Sequence, residues 1–237
     1  GGGGRRRAKA MACLSNLNQW GRMFEMLTSD NDGYFNRGWD VGKRGLWMNA
    51  LRPYYNDNWE MLLCPEAARV MQHPSDSGVF RAWYRRLSFL TGESQDYVSS
   101  YSINSWTNNM HMDYGARPQK WFWKGIGGVE GKENVPVFAD ATWHDAYPRY
   151  TDIPVPHPES FGIGNKGLTG EMNHFCIDRH DGAVNILFMD WSARKIGLKQ
   201  LWTLKWHRQY NTAGPWTMAG GVYPNDWPTW MKNFKDY

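Results

Sequence analysis

Four side chains that can bind metal ions follow one another at steps of two in the last third of the chain: His174, Cys176, Asp178 and His180. In a β-strand, residues at this spacing point to one face of the sheet. Two histidines with a thiolate or a carboxylate suit zinc, and His144 could add a further ligand. The alternative, which we favour, is a polar outer face on which His180 and Asp190 form hydrogen bonds across the hairpin or to the loop backbone and so fix its register.

A metal-dependent hydrolase would use the histidines of this region, His144, His174 and His180. The chain contains no Gly-x-Ser-x-Gly elbow, phosphate-binding glycine loop, dinucleotide fingerprint or His-Glu-x-x-His helix. Asp140 and Asp145 could serve as general acid and base, but almost any chain offers such carboxylate pairs. The sequence therefore predicts a protein that is not an enzyme.

A second candidate metal site lies in the run Asp30-Asn31-Asp32-Gly33. This run resembles the start of an oxygen-lined calcium loop with Asp30 and Asp32 as ligands, although the glutamate that would complete such a loop is missing downstream. The same residues also suit a turn that ends a helix. We predict no cofactor other than calcium at these two aspartates.

The three cysteines are Cys13, Cys64 and Cys176, and none of them forms a Cys-x-x-Cys pair. They allow at most one intrachain disulfide. In an oxidising compartment we expect Cys13 to pair with Cys64, because this bond would tie the first helix to the next layer. The alternative is a set of buried thiols.

Aromatic residues make up 16% of the chain, which includes 15 tryptophans. Large rings can stiffen a fold rich in loops, or they can stack on sugars and pack against partner subunits. Five tryptophans in loop-like contexts motivate an extracellular glycan-binding module as an alternative function: Trp121, Trp123, Trp216, Trp227 and Trp230.

Basic and acidic residues nearly balance, with 27 against 23 and a net charge of +4. The dense basic run is confined to Arg5, Arg6, Arg7 and Lys9, so nucleic acid is not predicted as a partner. No stretch approaches the roughly 20 apolar residues that cross a bilayer.

The segment from Arg5 to Thr28 carries apolar residues at alternating steps of four and three: Cys13, Leu17, Trp20, Phe24 and Leu27. This spacing predicts a helix with one apolar stripe, which the run ending at Gly33 terminates. Shorter helices are expected from Leu46 to Leu51, from Glu66 to Met71 and from Leu198 to Tyr210.

Strand-forming residues alternate from Tyr97 to Ile103, and residues 135 to 139 read as a short edge strand. The prolines between Pro148 and Pro158 indicate an extended surface connection. From His174 to Lys195 the pattern alternates on both sides of Asp181-Gly182, which predicts a β-hairpin with its turn there. The tail from Asn211 to Tyr237 is expected to wrap the surface with little regular structure.

One long helix followed by short strands lacks the alternation of a doubly wound fold. We therefore predict an α+β fold, in which the N-terminal helix packs on an antiparallel sheet with aromatic-rich loops and an irregular C-terminal tail. The basic residues at the start of the helix suit an anionic membrane interface.

Two blocks of sequence resemble the type IV pilin-like proteins and the G-type pseudopilins of type II secretion. The first is residues 8 to 21 together with Asp30-Asn31-Asp32-Gly33-Tyr34-Phe35. The second is residues 179 to 190, which resembles the C-terminal His-x9-Asp-Gly signature through His180, Asp181, Gly182 and Asp190. Trp191 stands where that signature has glycine, so the turn after Asp190 is where this chain departs from the pattern. Leu63-Cys64-Pro65 and the run from Ser100 to Trp106 resemble segments that lie between the two.

The resemblance implies a structural subunit of a pilus-like or secretion pseudopilus filament, located in the cell envelope or outside the cell. Its partners would be copies of itself or related pilin-like subunits, with glycans as ligands under the alternative hypothesis. The resemblance also implies a preceding hydrophobic segment, through which alone the protein would meet the membrane. On this basis we expect residues 1–4 to be a linker, residues 5–29 the membrane-proximal part of the helix, and residues 30–237 a globular head.

Overall fold

The computed structural model describes residues 2–70, 78–89, 92–158 and 170–237. The long N-terminal helix, α1, runs from Gly2 to Asp30. Every member of the predicted apolar stripe is buried: Cys13, Leu17, Trp20, Phe24 and Leu27. The helix and its core-facing side are thus confirmed, and it begins earlier than expected because Gly2 to Gly4, expected to be a linker, are helical.

Helix α1 ends where its turn residues predict. The backbone N–H of Gly33 donates to the carbonyl of Thr28 at 2.8 Å, and the side chain of Asn31 donates to the carbonyl of Leu27. Gly33 has a φ of 84°, a left-handed conformation that glycine adopts without a steric penalty. These bonds satisfy carbonyl groups of the last helical turn that have no partner within the helix.

The remaining helices and strands of the described residues are short. They are α2 (Trp47–Ala50), α3 (Arg52–Tyr55), β1 (Arg69–Val70), β2 (Arg81–Ser88), β3 (Ser94–Ser99), β4 (Tyr101–Asn104), β5 (Pro136–Asp140), β6 (Asp145–Ala146), β7 (Ala183–Phe188) and β8 (Ala193–Gly197). One sheet has the strand order β1-β2-β3, and a larger one has the order β6-β4-β5-β7-β8. Helix α1 packs on β7 and β8 of the larger sheet.

The α+β class with an N-terminal helix on a sheet is confirmed, but the sheets are mixed. Strand β4 pairs antiparallel with β5 and parallel with β6, and β1 runs parallel to β2. The expected edge strand at residues 135–139 is the central strand β5, fully buried between β4 and β7. Pro136 is tolerated there because it lies at the start of the strand, beside a register shift between Pro136 and Phe138.

Helix α1 approaches the sheet closely at Gly21. A Cβ atom at this position would lie 3.0 Å from Cδ1 of Leu187 and 3.1 Å from the carbonyl oxygen of Trp191. On either side of Gly21, the rings of Trp20 and Phe24 pack against Phe138 of β5, with centroids 5.0 and 5.4 Å apart. The missing side chain thus lets the helix approach the turn between β7 and β8.

The predicted hairpin is wrong in its position. Asp181 and Gly182 do form a tight turn, with φ values of 53° and 71° and a bond from the N–H of His180 to the carbonyl of Ala183. The residues before it are not a strand, because Glu171–His174 is a 3-10 helix and the N–H groups of Cys176, Ile177 and Arg179 bond to carbonyls a few residues earlier in the chain. The hairpin is formed one turn later, by β7 and β8.

The structure confirms some of the shorter helices and strands expected from sequence and contradicts others. The helix near Leu46 is confirmed as α2, whereas the one expected from Glu66 is wrong over the described residues, and Met71 lies outside them. The strand expected from Tyr97 is divided at Ser100 into β3 and β4. Of the helix expected from Leu198, only the 3-10 segment Leu198–Thr203 exists.

The two segments without predicted regular structure are largely as expected, with one difference. The tail after Asn211 contains only short 3-10 turns. The proline-rich connection has no regular structure but is partly buried, because the indole of Trp202 donates to the carbonyl of Asp152 and that of Trp230 to the carbonyl of Val155.

Candidate functional site

Four buried side chains from distant parts of the chain converge beneath α1: Cys13, Cys64, Asp140 and His180. One ligand atom from each lies within 4.8 Å of the others. Nε2 of His180 is 3.0 Å from Oδ2 of Asp140 and 3.7 Å from Sγ of Cys64, and Sγ of Cys13 is 3.4 Å from Oδ1 of Asp140. We call this group the buried ligand cluster.

Each member is held by a different element. Cys13 lies on the buried stripe of α1, and Asp140 is the last residue of β5. Cys64 follows the 3-10 helix Trp59–Leu62, which is fixed to α1 by bonds from the Trp20 indole to the carbonyl of Met61 and from Asn16 to the carbonyl of Leu63. His180 is the residue before the Asp181-Gly182 turn. The cluster therefore joins the helix to the sheet and to two loops.

Asp140 is the centre of the cluster and forms a buried ion pair with Arg179, 3.2 Å from Oδ1 to Nη1. The backbone N–H of Asn185 donates to the other oxygen at 2.9 Å. The same guanidinium donates from Nε to the carbonyl of Val79, from Nη1 to that of Ser100 and from Nη2 to that of Ala141. A buried charge needs such complete pairing, because an unpaired one costs several kcal/mol.

The charges of the cluster shift the pKa values of its members in opposite directions. Burial acts to raise the pKa of Asp140, but the hydrogen bond and charge of His180 and the charge of Arg179 lower it to about 2. Burial acts to lower the pKa of His180, but its bonds with Asp140 and Cys64 raise it to about 9. At neutral pH the carboxylate and the imidazolium thus form a charged pair.

The pKa values of the two thiols in the cluster shift in opposite directions. Burial raises the pKa of Cys13, and the charge of Asp140 adds to this effect. Burial also acts to raise the pKa of Cys64, but hydrogen bonds with Cys13 and His180 and the charge of Arg179 lower it to about 7. Cys64 is therefore the thiol that ionises first.

This geometry does not resemble a cysteine nucleophile with a histidine base. In such a triad the histidine contacts the nucleophile through one ring nitrogen and the orienting carboxylate through the other. Here Nε2 of His180 faces both Cys64 and Asp140, and Nδ1 has no hydrogen-bond partner among the described residues. All four side chains are also buried beneath α1.

The metal site predicted on one strand face is not formed, because residues 174 to 180 are not a strand. Of its members only His180 belongs to the cluster. The His174 ring stacks on Trp143, Cys176 is buried, and Asp178 accepts a bond from the N–H of Gly182. Nε2 of His144 lies 3.1 Å from a carboxylate oxygen of Asp145. Among the described residues, the three histidines expected of a hydrolase do not belong to one group of converging ligands.

The two ends of the His-x9-Asp-Gly signature have separate environments. Asp190 bonds to the loop backbone, one of the two arrangements expected for it, because it accepts bonds from the backbone N–H and the hydroxyl of Ser192. Trp191, which replaces the glycine of the pattern, has a φ of 66° and closes the β7–β8 loop in the left-handed conformation that glycine favours. Its ring packs against Phe35, with centroids 6.3 Å apart.

The cysteine pair predicted to form a disulfide, Cys13 and Cys64, is brought together, with sulfur atoms within 4.8 Å. Both are free thiols in the structure, as is Cys176, so the disulfide stays a prediction. Asp140 was noted from sequence only as a partner of Asp145, and its role in the cluster was missed. The available signal was that Cys13, Cys64 and His180 each fall in a different block of the pilin-like resemblance.

The two aspartates predicted to bind calcium at the end of α1 do not converge with further metal ligands among the described residues. Asp30 accepts a hydrogen bond from the hydroxyl of Tyr54 at 2.8 Å, and Asp32 is exposed with a φ of 53°. Among the described residues, neither belongs to a set of three converging histidine, cysteine or acidic ligands.

The tryptophans expected to stack on sugars are packed inwards to different degrees. Trp123 and Trp227 are buried, and the other three, Trp121, Trp216 and Trp230, are half-buried against the core. Six other indoles are almost fully buried: Trp20, Trp47, Trp83, Trp106, Trp202 and Trp206. The aromatic content therefore serves largely to pack a fold rich in loops.

Within the described part of the chain, no helix is long and apolar enough to cross a membrane. We compared the chain with protein-family models, with curated proteins and with solved structures, and none of the three comparisons found a match.

Proposed function

We propose that this chain is a structural subunit of a pilus-like or secretion pseudopilus filament of the cell envelope, which assembles through α1. The observation that carries the proposal is the geometry of this helix. Its 29 residues span about 44 Å at about 1.5 Å per residue, and its buried stripe begins only at Cys13. Residues 3 to 8 are exposed, so the first turns of the helix are available to neighbouring subunits.

The exposed side of α1 also carries apolar surface. Met11 is 65% exposed and lies beyond the stripe that packs on the sheet. In a filament built from packed helices, such a side chain would be covered by the helix of the next subunit. A flexible thioether suits this role, because it adapts to irregular contacts.

The burial of the ligand cluster agrees with a structural role for the chain. The cluster links α1 to the head, so that a force applied to the helix is transmitted to the sheet. The head would then display its aromatic-rich loops outwards on the filament.

The test is made in the cells that produce the protein. Surface filaments are sheared off and collected, and the chain is detected in them by immunoblotting and immunogold labelling. Met11→Glu should reduce incorporation into filaments at least about tenfold, because a buried charge costs several kcal/mol at a helix contact. Met218→Glu is the matched control, since Met218 is 61% exposed but lies in the C-terminal tail.

Both variants should unfold at the same temperature as the wild-type protein, because both residues are exposed in the monomer. A wild-type chain that is absent from every filament fraction and purifies only as a monomer would contradict the proposal. Equal incorporation of Met11→Glu and Met218→Glu would contradict the role given to α1.

A further inference from the structure

We propose that the buried ligand cluster binds one zinc ion, with Sγ of Cys13, Sγ of Cys64, a carboxylate oxygen of Asp140 and Nε2 of His180 as ligands. Two thiolates, one imidazole and one carboxylate are a complete set of the donors that zinc takes. Zinc binding at this cluster does not depend on whether the chain forms filaments.

The distances between the donors fit a tetrahedral ion. Zinc–sulfur bonds of about 2.3 Å and zinc–nitrogen or zinc–oxygen bonds of about 2.0–2.2 Å place neighbouring ligands about 3.3–3.8 Å apart. The structure has 3.4 Å between Cys13 and Asp140 and 3.7 Å between Cys64 and His180. No two donors of the group are farther apart than 4.8 Å, and binding would draw the widest pair in to about 3.8 Å. The contact of 3.0 Å between His180 and Asp140 would lengthen slightly to admit the ion.

The charges also balance. Two thiolates and the Asp140 carboxylate carry three negative charges, which zinc and the Arg179 guanidinium neutralise together. Binding releases the remaining thiol protons and the proton on Nε2 of His180 to solvent, because zinc takes thiolates and neutral imidazole. The filled centre is therefore neutral, as a fully buried group of charges should be.

Outer hydrogen bonds already orient the ligands. Arg179 and the backbone N–H of Asn185 donate to the two oxygens of Asp140, and the hydroxyl of Tyr101 lies 3.4 Å from Sγ of Cys13. Bonds of this kind fix the ligand positions in zinc proteins. A polar cavity of about 100 Å³, lined by Arg179 and His180 together with exposed residues such as Arg6 and Asp181, borders the cluster on its His180 side.

The donor set indicates the kind of metal and its role. Thiolate ligands favour zinc over calcium and magnesium, which take oxygen ligands. Four protein ligands leave no open position for a substrate, which is typical of structural zinc sites. The ion would fasten Cys13 of α1 to Asp140 of β5, and so the helix to the head.

The experiment uses the whole chain, purified under reducing conditions and stripped with a chelator. Zinc titration should give one ion per chain by mass spectrometry of the intact complex and by elemental analysis. Cobalt(II) should give the intense d–d bands of a tetrahedral site and a thiolate-to-metal charge-transfer band. Zinc should raise the unfolding temperature of the wild-type protein, and the chelator should reverse this rise, which tests the site without any substitution.

Cys64→Ser should weaken zinc binding at least about 100-fold and remove most of the charge-transfer intensity. Cys176→Ser is the matched control, because Cys176 is equally buried but lies outside the cluster, and it should bind zinc as the wild type does.

A reduced, folded wild-type chain that takes up no zinc or cobalt would overturn the proposal. So would a protein isolated from its cells with Cys13 and Cys64 joined in a disulfide, since the ion and the disulfide use the same sulfurs. Zinc binding that survives in Cys64→Ser and is lost in Cys176→Ser would place the metal elsewhere and would overturn it equally.

Discussion

The two places where metal ligands could gather, the buried ligand cluster and the Asp30–Asp32 turn, differ in how their members are brought together. The cluster unites residues as distant in the sequence as Cys13 and His180, and all of them are buried and linked by hydrogen bonds. The aspartates of the turn are two positions apart, but Asp30 points to Tyr54 and Asp32 lies in solvent. Closeness in the sequence therefore does not bring ligand side chains together here. Packing of distant elements around the same core does.

The largest difference between the two places should appear on neutralising one carboxylate in each. Asp140→Asn should destabilise the protein by about 3–5 kcal/mol, because it leaves the Arg179 guanidinium buried without its partner. Asp32→Asn, the same change at an exposed position, should alter the free energy of unfolding by less than about 0.5 kcal/mol. Urea unfolding followed by tryptophan fluorescence, with a chelator present, measures both.

Equal stabilities of these two variants would show that the buried ion pair contributes nothing net. Asp140 and Asp32 would then differ in burial and hydrogen bonding but not in their contribution to the free energy of unfolding.

A smaller effect is expected on the pH dependence of the metal-free protein, because two shifts oppose each other. The pKa of His180 rises from 6.5 to about 9 on folding, so its contribution is complete below pH 6.5 and is lost as the pH rises towards 9. The pKa of Cys64 falls from 9.0 to about 7, so its contribution is complete above pH 9 and is lost as the pH falls towards 7. The wild-type protein should therefore show nearly constant stability from pH 7 to 9.

Cys64→Ser removes one of these opposing contributions and leaves the other. The stability of this variant should fall as the pH rises from 6.5 to 9, because His180 still pairs with Asp140. Cys176→Ser, which keeps both groups, should retain the flat profile of the wild type. A Cys64→Ser profile as flat as that of the wild type would show that His180 is not protonated in the folded state. Unfolding in urea across this pH range provides the measurement.

The smallest effect is expected from calcium. A calcium concentration of about 100 times the dissociation constant would stabilise the protein by about 2.7 kcal/mol, or about 5–10 °C in unfolding temperature. Because Asp30 and Asp32 do not converge with further ligands in the described structure, we expect a shift below about 1 °C. A larger shift that disappears in Asp30→Asn but persists in Asp190→Asn would restore the calcium site predicted from sequence.

The sequence predicted α1 well because a helix that packs on a core has apolar residues at a regular spacing, which can be seen within a few turns of the sequence. The spacing of Cys13, Leu17, Trp20, Phe24 and Leu27 depends only on the 3.6-residue turn, and all five are buried. The end of the helix is equally local, since Asn31 and Gly33 bond to the last turn.

The hairpin prediction failed because a turn signal does not determine which segments pair beside it. Asp181-Gly182 adopts the expected turn, yet the residues before it use their N–H groups in local bonds, while β7 pairs with β5 and β8. In the β7–β8 hairpin the left-handed residue is Trp191, so no glycine in the sequence indicated this turn. The packing of its ring on Phe35 accompanies a conformation that costs a non-glycine residue about 1 kcal/mol.

The sequence by itself determined the long amphipathic helix, its end and the α+β class, because each follows from side-chain periodicity and turn chemistry within a few residues. Only the tertiary structure decided that β5 is central and that Asp140 joins Cys13, Cys64 and His180. The physical reason is that periodicity records which face of an element is buried, whereas the partners of that face depend on how distant elements pack together.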